Sequence, residues 1–137
     1  MDDNCTVSAL LIPSRAMPDK RRHSDGVQLL QRTIQLHGEL RTSLEPTGVT
    51  PLQASILTYL HDHSEVPPRT SWVALHLRLS IPTLSEAVLR MIQKKWISRE
   101  RAFDDRRASE LRLTKQGRMV AQKVLSALNS HGSRLLK

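Results

Sequence analysis

The sequence has 137 residues, of which 39% are hydrophobic, 25% are charged and only 3% are aromatic. These values fit one globular domain, and they argue against a disordered chain and against a platform that stacks single-stranded nucleic acid. The net charge of +8 is concentrated in residues 69–118, which hold twelve Arg and Lys against five Asp and Glu. This segment is predicted to attract phosphates. The alternative is a basic face that only keeps the protein in solution.

Residues 1–24 lack a sustained periodicity and are predicted to form an N-terminal arm. The apolar segment 7–12 is too short for the core of a signal peptide, and no segment approaches the roughly 18 apolar residues of a membrane helix. The only cysteine, Cys5, cannot form an intramolecular disulfide, and no neighbouring residue marks it as a redox sensor. We therefore expect a cytoplasmic protein without a membrane partner, in which Cys5 is idle.

The next segment, residues 25–48, is predicted to be an N-terminal dimerisation helix. It begins near Asp25, with Gln28 as a loose capping box, and it ends at Pro46 and Gly48. Its apolar residues have helical spacing and form a face wider than one small domain needs, which favours a two-fold homodimer. They are Val27, Leu30, Ile34, Leu36, Leu40 and Leu44.

A second helix has a well-marked start. Thr50 fits the N-cap, Pro51 fits the first helical position and Gln53 completes a capping box. The predicted core face is Leu52, Ile56, Leu57 and Leu60. His61 and His63 lie at the end of this helix, but side chains two positions apart diverge and no fourth donor is evident, so neither a metal site nor a cofactor is predicted.

Two helices joined by a tight turn follow and suggest a helix-turn-helix. Ser71 is predicted to cap the first helix, in which the small Ala74 lets the second helix cross closely. Ser80 is predicted to cap the second, and Pro82 in its first turn costs little because N–H groups there lack helical partners. The core-facing residues of this recognition helix are Leu84, Ala87, Val88 and Met91.

The opposite face of the recognition helix carries side chains suited to double-stranded DNA. Arg90 can make a bidentate contact to guanine, and Glu86, one turn earlier, can orient it or accept from cytosine. Lys94 suits backbone phosphates. The predicted DNA-binding residues of the two helices are Ser71, Pro82, Thr83, Ser85, Glu86, Arg90 and Lys94. Taken alone, this pattern would also fit an ordinary solvated helix face with one ion pair.

The hairpin after the recognition helix favours the DNA-binding interpretation. Residues 97–103 and 109–113 are strand-like, and the loop between them is basic. Asp105 is predicted to pin this loop by pairing with an arginine, so that Arg106 or Arg107 projects toward a narrow minor groove. Arg99 and Asp105 are the predicted wing-stabilising residues.

Thr114 is predicted to cap a final helix. This helix, residues 115–137, is interpreted as the C-terminal dimerisation helix because it carries an apolar stripe. The stripe consists of Val120, Ala121, Val124, Leu125 and Leu128.

These segments together resemble the MarR family of bacterial transcription regulators, over roughly residues 49–117. The fragments that carry the resemblance are Thr50-Pro-Leu-Gln53, Leu79-Ser80, Thr83-Leu84-Ser85, Ile97-Ser-Arg99, Asp105-Arg-Arg107-Ala and Leu113-Thr-x-x-Gly117. The resemblance implies a mainly α fold with a small β-hairpin wing, in which residues 49–114 form a winged helix-turn-helix. It also implies a dimer that binds pseudo-palindromic duplex DNA, usually as a repressor, and a minor-groove contact supported or supplied by Arg107.

The resemblance further implies release of DNA by a small phenolic or aromatic-acid ligand, bound in a cleft beside the dimerisation helices. His37 could line such a cleft, although a packed core histidine is the favoured interpretation. The ligand-binding residues are otherwise not defined by the sequence.

The chain departs from the family pattern at three places. Ala102 stands where the wing usually carries an acidic residue, and Arg78 and Lys95 stand at turn positions often held by glycine. Twenty residues follow Gly117, where the family continues into a further dimerisation helix. We expect the N-terminal arm or the first and last helices to provide the dimer contacts instead.

The sequence therefore predicts a DNA-binding regulator without catalytic activity. A winged-helix module that binds a protein partner and not DNA is the alternative. An enzyme has no support, because there is no glycine-rich phosphate loop, no nucleophile with an evident base and no convergent carboxylate pair.

Overall fold

The computed structural model describes the backbone of residues 24–135 and the side chains of residues 24–131. The predictions for the N-terminal arm and Cys5 lie outside these residues. The chain divides into one unit that ends at Leu36 and a second that begins at His37. None of the helices in the described part is long and apolar enough to cross a membrane. The elements are α1 (Asp25–Leu44), α2 (Pro51–Asp62), α3 (Thr70–Leu77), α4 (Ile81–Gln93), β1 (Ile97–Arg101), β2 (Ser109–Leu113) and α5 (Lys115–Leu135).

Helix α1 begins where the sequence predicts, but its cap differs. The hydroxyl of Ser24 accepts from the N–H of Val27 at 3.3 Å, so the cap lies one residue before the expected Asp25. After α1 the chain makes a short 3-10 turn, and Gly48 ends it in the left-handed conformation with φ 71°. Val27, Leu30 and Ile34 are 38%, 62% and 65% exposed, so the N-terminal part of the predicted dimerisation face is open to solvent.

Helix α2 has the predicted capping box. The Thr50 hydroxyl accepts from the N–H of Gln53 at 3.2 Å, and the Gln53 side chain accepts from the N–H of Thr50 at 3.3 Å. Both reciprocal contacts satisfy N–H groups that have no partner within the helix. The buried face of α2 presents Ile56, Leu57 and Leu60 to the core, and Leu52 packs at its edge.

The two helices of the helix-turn-helix are α3 and α4. The prediction that Ser71 caps α3 is wrong: the N-cap is Arg69, and it has no side-chain cap. Arg69 instead forms an isolated antiparallel bridge with Glu110, which fixes the extended backbone from which the helix starts. Ser80 caps α4 as predicted, because its hydroxyl accepts from the N–H of Thr83 at 3.3 Å. The predicted core face of α4 is buried throughout: Leu84, Ala87, Val88 and Met91.

The turns at the two ends of α4 contain the two departures from glycine. Arg78, between α3 and α4, has φ 55°, and Lys95, after α4, has φ 63°. For residues other than glycine, the left-handed conformation costs roughly 1–2 kcal/mol. Both turns therefore hold a cation at a position where the backbone conformation favours glycine.

The wing is a two-stranded antiparallel hairpin. Ile97 pairs with Leu113 and Arg101 pairs with Ser109, so β1 is two residues shorter than the predicted strand. Leu111 is fully buried and Arg112 points to solvent, as the alternation predicts. The observed fold, mainly α with a small β-hairpin, confirms the predicted fold class.

Helix α5 is fixed to the turn that follows α4. The Thr114 hydroxyl donates to the carbonyl oxygen of Lys95 at 2.6 Å and accepts from the N–H of Gly117 at 3.0 Å. A Cβ at Gly117 would lie only 1.9 Å from the carbonyl oxygen of Trp96. Ala121 and Val124 are buried against the core, which α5 closes by packing on α2.

Candidate nucleic-acid interface

One concave surface joins the wing to the two helices of the helix-turn-helix. We call it the basic groove. It contains three guanidinium groups, four hydroxyl groups and a single carboxylate. Its lining residues are Arg69, Thr70, Ser71, Ile81, Ser85, Arg99, Asp105, Arg107, Ala108 and Ser109. Cations with hydroxyl donors beside them are the groups that proteins use to bind phosphate oxygens.

The exposed face of α4 continues from the basic groove. Pro82 and Thr83 are exposed, and Ser85 is half-buried at the edge of the groove. The Arg90 guanidinium donates to the Glu86 carboxylate at 2.8 Å, and both side chains are about two-thirds exposed, at 66% and 68%. An exposed pair one turn apart contributes only about 0.3–0.5 kcal/mol, so Arg90 can leave Glu86 for a better acceptor.

Lys94 lies at the C-terminal end of this face. Its ammonium group is 4.6 Å from the centroid of the Trp96 ring, which is almost completely buried. The contact positions the cation at the surface without consuming a hydrogen-bond donor. Lys94 therefore stays able to donate to a phosphate.

The loop at the wing tip is organised by Asp105. Its carboxylate accepts from the backbone N–H of Arg107 at 2.9 Å, and its carbonyl oxygen accepts from the N–H of Ala108 at 3.1 Å. Asp105 thus contacts the backbone of Arg107 and not its guanidinium. Arg106 and Arg107 are both exposed.

Arg99, the other predicted wing-stabilising residue, is an exposed side chain on β1 opposite Leu111. The structure places it on the wall of the basic groove. The cross-strand ion pair of the hairpin is made by two other residues, Arg112 and Glu100, at 4.0 Å. The stabilising role of Arg99 stays a prediction.

Sequence reasoning missed an ion pair between the wing-tip loop and the start of α3. The guanidinium of Arg69 donates to both carboxylate oxygens of Asp104, and it lies 5.3 Å from the centroid of the Trp72 ring. The Arg69 side chain is 23% exposed, whereas that of Asp104 is 67% exposed. One guanidinium nitrogen, Nη2, makes both hydrogen bonds, and this charge-assisted contact links the wing-tip loop to the start of α3.

The backbone around Arg69 adds to this connection. The carbonyl oxygen of Pro68 accepts from the N–H of Leu111 at 3.0 Å, and the hydroxyls of Thr70 and Ser109 are 2.6 Å apart. Residues 68–70 therefore line the free edge of β2. The extended Pro67-Pro68-Arg69 segment is the signal that could have revealed this, since a residue before proline avoids the helical conformation.

Of the histidines discussed from the sequence, His37 lies in surroundings that differ from the favoured interpretation. His37 is exposed on α1, so the structure does not show it as a packed core residue. His63 contacts the carbonyl oxygen of Tyr59 through Nδ1 at 2.8 Å, and its ring stacks on the Tyr59 ring. Among the described residues, no three His, Cys, Asp or Glu side chains form a group that could hold a metal ion.

A family model matches the part of the chain that carries most of this surface. The model described as MarR family matches residues 47–108, which contain α2, the helix-turn-helix, β1 and the wing-tip loop. No curated protein sequence gave a match.

Solved structures share the fold over most of the chain. The transcriptional repressor CouR, bound to a 23-mer DNA duplex, is 22% identical with a TM-score of 0.76, over 83% of this chain and 80% of CouR. MepR of S. aureus in complex with DNA is 21% identical with a TM-score of 0.77, over 84% of each chain. A mutant of MarR from E. coli complexed with operator DNA is 17% identical with a TM-score of 0.74, over 80% of this chain and 78% of that one. Residues 47–108 match the model of the MarR family, and the described chain has the winged-helix fold of CouR, MepR and MarR, which confirms the resemblance found in the sequence.

Proposed function

We propose that this protein is a DNA-binding transcription regulator, a repressor, that acts as a homodimer on pseudo-palindromic duplex DNA. The observation that carries the proposal is the continuous surface formed by the basic groove and the exposed face of α4. Arg69, Arg99 and Arg107 line the groove, and Arg90 and Lys94 are exposed on α4 and at its C-terminal end. DNA-bound CouR, MepR and MarR, which share the fold, support the assignment.

In this proposal α4 enters the major groove. Arg90 exchanges its exposed contact with Glu86 for guanine, while Thr83 and Ser85 bond bases or nearby phosphates. The wing reaches the neighbouring minor groove with Arg106 and Arg107. The phosphate strand between the two grooves then passes through the basic groove, where Arg99 and the hydroxyls of Ser71 and Ser85 are available.

The proposal includes a dimer and no catalytic step. Helix α1 carries exposed apolar residues at helical spacing, which are suited to contact a second copy of the chain. They are Val27, Leu30 and Ile34. The phenolic or aromatic-acid effector implied by the family resemblance stays a prediction. The rival interpretation, a module that binds only a protein, is not favoured, because it gives no role to the exposed cations of the wing and α4.

The test measures affinity for duplexes against salt concentration. Duplexes selected by the wild-type protein from random sequence should bind with an affinity that falls steeply as salt rises, because phosphate contacts release counterions. Arg90→Ala should weaken binding to the selected duplex by about 1–3 kcal/mol. The variant protein should also distinguish the selected duplex less well from random duplex. Lys123→Ala removes an exposed cation from α5 and serves as the matched control.

Two results would contradict the proposal. One is failure of the wild-type protein to bind any duplex at low salt. The other is an affinity that does not respond to salt, since a surface with this charge cannot bind DNA without displacing counterions. If Arg90→Ala and Lys123→Ala lost the same amount of DNA affinity, Arg90 would not be a specific part of the interface.

A further inference from the structure

The wing tip carries one residue that neither the charge pattern nor the family resemblance explains. Phe103, the only phenylalanine of the chain, is fully exposed, with a relative accessibility of 104%. It follows Ala102, which is buried. The ring therefore projects from the point where the hairpin ends, beside the arginines of the loop.

The residues on both sides of Phe103 are held, Ala102 through its backbone and Asp104 through its side chain. Ala102 donates its N–H to the carbonyl oxygen of Ala108 at 3.0 Å, which closes the loop of residues 103–107. Asp104, on the other side, is held by both carboxylate oxygens to Arg69. These contacts hold the loop from which the ring projects. Part of the entropic cost of ordering the loop on binding is therefore already met in the free protein.

The charges around the ring select the kind of surface that could cover it. Arg106 and Arg107 are exposed, while the carboxylates of Asp104 and Asp105 are engaged by Arg69 and by the N–H of Arg107. The tip therefore offers an apolar ring flanked by available cations. A minor groove offers the complement: sugars and base edges in the floor and walls, and phosphates along both rims.

We infer that Phe103 is an apolar wedge that enters the minor groove beside the wing arginines, partly unstacks one base step and kinks the duplex. This inference rests on the proposed DNA-binding function and adds to it a means of reading DNA shape. Unstacking is easiest at pyrimidine–purine steps. The protein should therefore prefer a pyrimidine–purine step at the base step that Phe103 enters. This preference would come from the ease of unstacking and would not need a hydrogen bond from a side chain to the step.

The experiment compares Phe103→Ala with Phe103→Leu and with Val66→Ala. Val66 is an exposed apolar residue, at 71%, in the segment between α2 and α3, so Val66→Ala is a matched control. The measurements use a duplex selected by the wild-type protein. They give the affinity, its salt dependence and the bend of the duplex, which is read by energy transfer between dyes at the two ends of the duplex. Because the Phe103 side chain is fully exposed, its removal leaves the fold intact.

The expected results separate an apolar wedge from a charge contact. Phe103→Ala should bind about tenfold more weakly and bend the duplex less, while the slope of log affinity against log salt stays that of the wild type. Phe103→Leu should retain most of the bend, and Val66→Ala should match the wild type. Arg107→Ala, by contrast, should make the salt slope shallower.

The inference is overturned if Phe103→Ala keeps wild-type affinity and bending. It is also overturned if affinity falls while the bend is unchanged, because the ring would then touch the surface of the groove without entering a base step. Failure of the wild-type protein to bind duplex DNA would reject the proposed function itself, and this result is distinct from the other two.

Discussion

At the scale of single residues, Gly117 shows how one missing side chain fixes the position of a helix. A Cβ at this residue would lie 1.9 Å from the carbonyl oxygen of Trp96, and a backbone atom cannot rotate away as a side chain can. The close approach allows Thr114 to bond the carbonyl oxygens of Lys95 and Trp96. The sequence marked Gly117 only as part of a motif, because the partner that excludes a side chain lies 21 positions earlier.

Gly117→Ala should therefore destabilise the protein by about 3 kcal/mol, at the upper end of the cost of overpacking. Gly38→Ala is the control, since nothing lies within 4 Å of a Cβ at that helical position. It should stabilise the protein by about 0.5–1 kcal/mol, because alanine favours the helix. Chemical denaturation of both variants at one protein concentration measures the difference, and an equal gain in both would contradict the predicted clash.

At the scale of elements, the wing and α3 depend on each other through Arg69 and Asp104. The helices themselves follow from local signals: Thr50 and Gln53 define the start of α2, and the buried face of α4 follows from its periodicity. The contact between Arg69 and Asp104 could not be predicted in this way. It joins residues 35 positions apart, and the sequence offers several other acidic partners for an arginine.

Asp104→Asn distinguishes a positioning role from a simple charge effect. Removing a carboxylate near phosphates should raise DNA affinity if only charge matters. If Asp104 positions the wing through Arg69, affinity should instead fall, by about 1 kcal/mol or roughly fivefold. Asp62→Asn removes an exposed carboxylate at the end of α2 and should leave affinity nearly unchanged. Fluorescence of Trp72, measured with Trp96→Phe in the background, should change with Asp104→Asn because Arg69 lies over the Trp72 ring.

A higher affinity of Asp104→Asn, with unchanged Trp72 fluorescence, would contradict the positioning role. The charge-exchanged pair Arg69→Asp with Asp104→Arg provides a second comparison. It should recover part of the affinity that either single exchange loses, because the two side chains act as one contact.

At the scale of the whole molecule, the proposed function requires two copies of the same surface. The exposed leucine and isoleucine side chains on α1 fit the proposal that the apolar face predicted from the sequence contacts a partner chain. The sequence could identify this face by periodicity. It could not show which residues of the face are covered within one chain: Leu44 is buried, whereas Ile34 is 65% exposed.

Ile34→Glu should shift the protein from dimer toward monomer, because an unpaired carboxylate buried in an apolar interface costs about 2 kcal/mol or more. Light scattering coupled to size-exclusion chromatography measures the mass, and affinity for a pseudo-palindromic duplex should fall with it. Val66→Glu introduces the same charge on an exposed residue outside α1 and should leave the mass unchanged. A dimeric Ile34→Glu variant would place the interface elsewhere.

The three residues 68–70 along the edge of β2 have a mechanical consequence. The strand edge is joined to the segment that leaves α2, through Pro68, Arg69 and Thr70. A displacement of this segment would therefore be transmitted to the hairpin through these hydrogen bonds. The wing thus has a mechanical connection to the chain before α3 that does not pass through α4.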